Sequence, residues 1–197
     1  MNIVIEIIRF VALLTLTLLT ALLVEQAMKK RKFKTNRAVQ LLMMSVITAA
    51  LYAFGGMSMW TVKGIVFTLI LLYASVQDIS THEGDDFLWV MLLILALVNI
   101  SEVGIVSMIF GGLVVFAPQI FVTLFTKEKS VGGADIKISS AAALCLGFYG
   151  GGIGFMLGLL FAVICKSIVN KRQKQSNEEP FALLPFLSTG LVIGYFI

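Results

Sequence analysis

The chain has little charge and few residues that bind metals. Of its 197 residues only 13% are Asp, Glu, Lys or Arg, about half the share of a soluble domain. That excludes a water-covered surface of ordinary extent. There is one histidine, His82, and there are two cysteines, Cys145 and Cys165, with no Cys-x-x-Cys pair. This leaves no ligand set for a zinc site, so no metal and no cofactor are expected. Both cysteines lie inside apolar runs and read as small packing residues. No alternating strand pattern, low-complexity tract or internal repeat is visible.

What the chain does have is hydrophobicity in repeated runs: 59% apolar residues and a mean hydropathy of +0.99. The pattern predicts an all-α, polytopic transmembrane helix bundle in the cell membrane, a single domain over residues 1–197. Eight membrane segments are expected, at about 3–28, 38–54, 60–77, 87–100, 105–125, 136–148, 153–169 and 181–197. The sixth, at thirteen residues, is short of the roughly twenty that a full span needs. Tyr149 and the glycines 150–152 are expected to break the chain after it, and Ser101–Gly104 to form a turn after the fourth segment. Pro118 is expected to kink the fifth segment, Lys63 to snorkel outward from the third, and Glu6 and Arg9, three apart, to pair on one face of the first.

The net charge of +4 concerns topology rather than nucleic acid. Of 15 Lys and Arg, six fall in 29–37, three in 127–137 and four in 166–174. With eight segments every charged loop lands on one side. The positive-inside tendency makes that side cytoplasmic, next to anionic lipid headgroups, with both termini outside.

Two polar breaks on that side carry the chemistry. One contains Asp78. The other, residues 127–137, contains Gly132, Gly133, Ala134 and Asp135, a carboxylate on a nearly side-chain-free backbone that allows close approach. Ionisable groups at membrane depth are costly and tend to be kept where they work. Two carboxylates held within a few ångströms cannot both ionise easily, so one keeps a proton and the other serves as a base. Such a pair activates water against a peptide carbonyl and protonates the leaving amine. Asp135 has a purely structural alternative as a helix N-cap. For Asp78 a structural role is less comfortable, because a helix C-terminus disfavours negative charge. Glu83, Asp85 and Asp86 read first as solvated loop charges that also suit a basic substrate segment, and His82 as a loop residue. Dense glycines at 147, 150, 151, 152, 154 and 158 read as close helix packing, with a flexible joint as the alternative.

Gly132-Gly133-Ala134-Asp135-Ile136-Lys137 resembles the GxGD motif of the type IV prepilin peptidases and the related preflagellin peptidases. Asp78, in Tyr73-Ala74-Ser75-Val76-Gln77-Asp78, resembles the family's other catalytic aspartate. Pro185-Phe186-Leu187 with Gly190 resembles the stretch that opens its last helix. The resemblance covers about residues 60–190. It implies a membrane-embedded aspartyl endopeptidase with Asp78 and Asp135 catalytic. Gly132, Gly133 and Ala134 would give backbone access, and Glu83, Asp85, Asp86, Lys137, Pro185 and Phe186 are candidates for contacting substrate. The implied partner is a prepilin-like precursor with a short basic leader and an apolar helix, cut at the cytoplasmic face. The motif's second glycine is Ala134 here, and the stretch after Asp78 lacks the family's Ile-Pro. The first cytoplasmic loop is about nine residues without cysteine, which implies a short form without the zinc-bearing methyltransferase region, similar to Tad-type and preflagellin enzymes.

Other classes stay open from the residues alone. Membrane carboxylates also serve small ion- or proton-coupled transporters. A non-catalytic assembly factor for a pilus or secretion machine would need neither aspartate. A protease cutting within the bilayer would need a deeper water path.

Overall fold

The computed structural model describes residues 3–33, 35–98, 100–126, 132–173 and 181–197, with no side-chain description at 126 and 170–173. All regular structure among them is helical: α1 (Ile3–Lys30), α2 (Arg37–Gly55), α3 (Met59–Thr81), α4 (Asp86–Leu97), α5 (Ile100–Val103), α6 (Ile105–Thr126), α7 (Gly133–Gln173) and α8 (Leu184–Gly194). Five of these, α1, α2, α3, α6 and α7, are long and apolar enough to cross a membrane.

Local chemistry sets several helix starts. The Asn36 side chain accepts from the Ala38 N–H (3.2 Å) at the head of α2, and the Ser58 hydroxyl accepts from the Thr61 N–H (3.2 Å) at the head of α3. Each satisfies an amide that the first turn leaves open. Glu6 and Arg9 pair as expected (2.9 Å), and the Tyr52 hydroxyl donates to Glu6 (2.7 Å), tying the start of α1 to the end of α2. At the other end, buried Glu25 meets Lys29 (2.5 Å) and Arg37 (3.5 Å). α3 is the most enclosed of the five long helices, with 56% of its most apolar window buried.

α8 runs antiparallel to α3. The Leu184 N–H donates to Asp78, the Ser188 hydroxyl to the Leu71 carbonyl and the Tyr195 hydroxyl to the Trp60 carbonyl. Its other side lies on α7 through glycines. A Cβ added at Gly154 would fall 2.9 Å from the Gly190 carbonyl oxygen, and one at Gly158 2.7 Å from the Leu187 Cα. Backbones this close require small residues. The close-packing reading therefore holds for Gly154 and Gly158.

The break after the sixth segment is real but lies earlier than expected. Gly147 has φ 80° and ψ −172° inside α7, outside any helical region. Ala143 and Gly151, eight residues apart, would be about 12 Å apart along one straight helix. Instead a Cβ on Gly151 would sit 2.9 Å from the Ala143 Cα. The limbs 133–146 and 148–173 therefore fold back on each other, and the glycines 150–152 are helical residues, not the turn. The Phe148 N–H, freed by the turn, donates to the Ser107 hydroxyl (3.0 Å). Counting the two limbs separately, and leaving out the single turn α5, gives the eight expected segments.

Two smaller corrections follow. Ile100–Val103 is a helical turn, closed by Gly104 at φ 80°, and not a plain turn at 101–104. Lys63 does not snorkel outward but is buried. α6 carries Pro118 within its length.

At Gly147 any side chain is strained twice. Its φ is one that L-residues rarely adopt, and a Cβ would meet the Ser107 Oγ at 2.7 Å and the Val103 Cγ1 at 2.8 Å. Gly147→Ala is expected to lose about 2 kcal/mol, read as a lower unfolding midpoint in detergent. An unchanged midpoint would contradict the turn.

Candidate active site

Asp78 and Asp135 arrive at the same end of the bundle from different helices. Asp78 lies one turn before the end of α3, where His82 closes the helix in the left-handed conformation (φ 52°) by donating its N–H to the Asp78 carbonyl (2.9 Å). The single histidine thus serves as a C-cap. Asp78 is only 6% exposed, and its Oδ2 accepts the Leu184 N–H (3.0 Å). Leu184 opens α8, so a first-turn amide that would otherwise lack a partner holds this carboxylate in place.

Asp135 is the third residue of α7, half-buried. Its carboxylate bends back over Gly132 and takes that residue's backbone N–H. A Cβ on Gly132 would lie 3.2 Å from the Asp135 Oδ2. The carboxylate is therefore not the N-cap itself; it reaches back from the first turn, as in a capping box. This local role accounts for Gly132. It does not account for Asp78, which lies within electrostatic reach of the Asp135 carboxyl. The two aspartates thus lie at one end of the bundle, near the starts of α7 and α8 and the end of α3.

The α3–α4 loop lies against the motif. A Cβ on Gly84 would fall 2.5 Å from the Ala134 Cβ, with the next neighbours at ordinary contact distance. The Asp85 N–H donates to the buried Gln77 side chain (3.4 Å). The loop acids expected to face a basic substrate are largely neutralised at home. Asp85 pairs with Arg31, whose guanidinium also lies over the Phe87 ring (5.7 Å). Asp86 pairs with Lys137 (2.7 Å). Glu83 is exposed and, among the described residues, meets no cation. Pro185 sits in the first turn of α8, and Phe186 stacks on Phe181 with centroids 5.2 Å apart. Gly133 has open space where a Cβ would be. Residues 127–131 of the motif loop and most of the basic loop 170–179 lie outside the described residues. Among the described residues no three His, Cys, Asp or Glu side chains gather as a metal site.

The sequence model of the type IV leader peptidase family matches residues 65–169, just over half the chain, a stretch that contains both aspartates. The chain belongs to that family. No curated protein and no solved structure matches it. The matched stretch of this leader peptidase ends before α8, so the Leu184 amide that holds Asp78 comes from outside it.

Sequence reasoning passed over Gly84, Leu184 and Arg31. Gly84 had a signal, a lone glycine between two acids; Leu184 was adjacent to Pro185; Arg31 was hidden in a basic run. The Gly84–Ala134 contact makes a reciprocal prediction for this leader peptidase. Gly84→Ala is expected to push the motif aside and cost about 10²-fold in activity, as ångström-scale misplacement does. Adding Ala134→Gly is expected to restore it. Steady-state peptidase rates of both variants check this, and failure of the second change to rescue the first would sink the contact.

Proposed function

We propose that this leader peptidase is a membrane-embedded aspartyl endopeptidase that removes the short basic leader of type IV prepilin-like precursors at the cytoplasmic face. One observation carries the reading: Asp78 and Asp135, from helices distant in sequence, lie within electrostatic reach of each other inside the stretch matched by the family.

The chemistry follows from the pair. Two carboxyl groups brought together hold one proton between them. The ionised one takes a proton from a water as its oxygen attacks the scissile carbonyl carbon. The protonated one hydrogen-bonds the carbonyl oxygen. The tetrahedral intermediate collapses as a proton passes to the leaving nitrogen and the C–N bond breaks. No nucleophilic side chain is required. Gly132 and Gly133 leave room for the substrate backbone. The substrate's apolar helix lies among the enzyme's helices, which brings the leader junction to the boundary where the aspartates sit. Glu83 is the loop acid left to attract a basic leader, since Asp85 and Asp86 are already paired.

The test is cleavage of a prepilin-like precursor from the same genome by the purified protein in vesicles, with the new N-terminus located by mass spectrometry. Cleavage directly after the basic leader supports the reading, and no cleavage of any candidate precursor overturns it.

A further inference from the structure

At the end of the bundle away from the aspartates, the starts of α3 and α6, the Gly147 turn and the end of α8 enclose a cavity of about 320 Å³. Its floor includes Lys63, one turn into α3 and only 4% exposed. Among the described residues no carboxylate lies within ion-pair distance of the Lys63 ammonium, which shares the cavity wall with the Cys145 thiol. A thiol is a weak hydrogen-bond partner and supplies no compensating charge. Removing an ammonium from water without an anion is costly, so the cavity favours an anionic occupant.

Two further features narrow its chemistry. Glu102 lines the same cavity, is exposed, and pairs with no cation among the described residues. Trp60 and Tyr149 also line it, Tyr149 being 72% exposed. Such aromatic residues mark the headgroup level of a membrane. A buried cation with an acid at the same opening, at headgroup depth, suits a ligand carrying an anion and a cation a few bonds apart. We propose that this cavity binds a phospholipid headgroup, with its phosphate on Lys63 and an ethanolamine ammonium facing Glu102. This site is separate from the proposed leader-cleaving pair and does not depend on it.

The test uses the delipidated full chain in detergent and follows the unfolding midpoint. Four additions are compared: phosphatidylethanolamine, phosphatidylglycerol, an uncharged diacyl galactolipid and inorganic phosphate. Phosphatidylethanolamine is expected to raise the wild-type midpoint by about 5 °C over the galactolipid. Lys63→Met is expected to lose that difference and Lys63→Arg to keep it. Native mass spectrometry is expected to show one phospholipid fewer on Lys63→Met. Glu102→Gln, at an exposed position, is expected to fold normally and lose only the preference for phosphatidylethanolamine over phosphatidylglycerol. Equal midpoints with galactolipid and phospholipid, or an undiminished shift in Lys63→Met, would overturn the site. An equal rise with inorganic phosphate alone would overturn the lipid as its source.

Discussion

Asp78→Asn and Asp135→Asn are each expected to lower leader cleavage by about 10³-fold or more, within the range that a positioned acid or base contributes. The change is nearly isosteric. An asparagine at 78 keeps a carbonyl oxygen for the Leu184 N–H, so the 3.0 Å bond that holds the residue survives. An asparagine at 135 keeps an oxygen for the Gly132 amide. Both variants are therefore expected to retain the wild-type unfolding midpoint while losing cleavage. What each removes is the capacity to accept or give a proton at one position of the pair. Glu83→Gln, at an exposed residue outside the pair, is expected to weaken substrate binding at most and to leave the turnover rate near wild type. Precursor cleavage followed under single-turnover conditions measures all three. Substantial activity in either asparagine variant would mean that its carboxylate is not part of the machinery, and Asp135 would revert to the capping role its reach toward Gly132 describes.

The second large effect is structural. Gly190→Leu is expected to cost about 3 kcal/mol and to lower the unfolding midpoint by about 10 °C. A Cβ there would enter the space of the Gly154 carbonyl and the Gly158 backbone. Backbone cannot swing aside as a long side chain can, so α8 must move off α7. Because α8 also supplies the Leu184 amide to Asp78, cleavage is expected to fall with stability. Gly152→Ala is the contrasting change. A Cβ at that helical position meets only the Val114 Cγ1, at 3.8 Å, so the midpoint is expected to hold or rise slightly, because alanine favours the helix. Thermal unfolding of both variants checks the pair. Equal effects at 152 and 190 would contradict the glycine-mediated packing of α7 on α8.

These two glycines also show where the sequence was legible and where it was not. Long apolar runs separated by charged loops announced the helices, because a membrane span has a required length and composition. The short sixth segment pointed to a break on the same ground, with one long helix over 136–169 as the alternative. Which glycine makes the turn was not readable. Tyr149 and glycines 150–152 concentrate the signal, yet those glycines lie in the helix, Gly150 and Gly151 close against other backbone, whereas the isolated Gly147 takes the positive φ. Glycine has two uses, close approach and unusual dihedrals, and composition alone does not separate them.

The aspartates were legible because charge is scarce in this chain and each lies at the edge of an apolar run. Their supports were not. The Leu184 amide is a backbone group with no sequence signature. Ala134 was visible only as a departure from the GxGD pattern, and its fit against Gly84 required the fold. The acids at 85 and 86 looked available to substrate because their partners, Arg31 and Lys137, come from distant parts of the chain. Lys63 looked free to reach water because it lies one turn from a helix end, and the packing of α5, α6, α7 and α8 around it encloses it.

The central claim is that Asp78 and Asp135 face each other as one site. Chemical cross-linking in native membranes tests it most directly. Cys145 and Cys165 are first replaced by alanine, and cysteines are then placed at 78 and 135. A short bifunctional thiol-reactive reagent is expected to join this pair within one chain. A second pair, at the ion-paired positions of Arg31 and Asp85, serves as the positive control. Cross-linking of both pairs is the predicted result. Cross-linking of the control without any product between 78 and 135 would contradict the account.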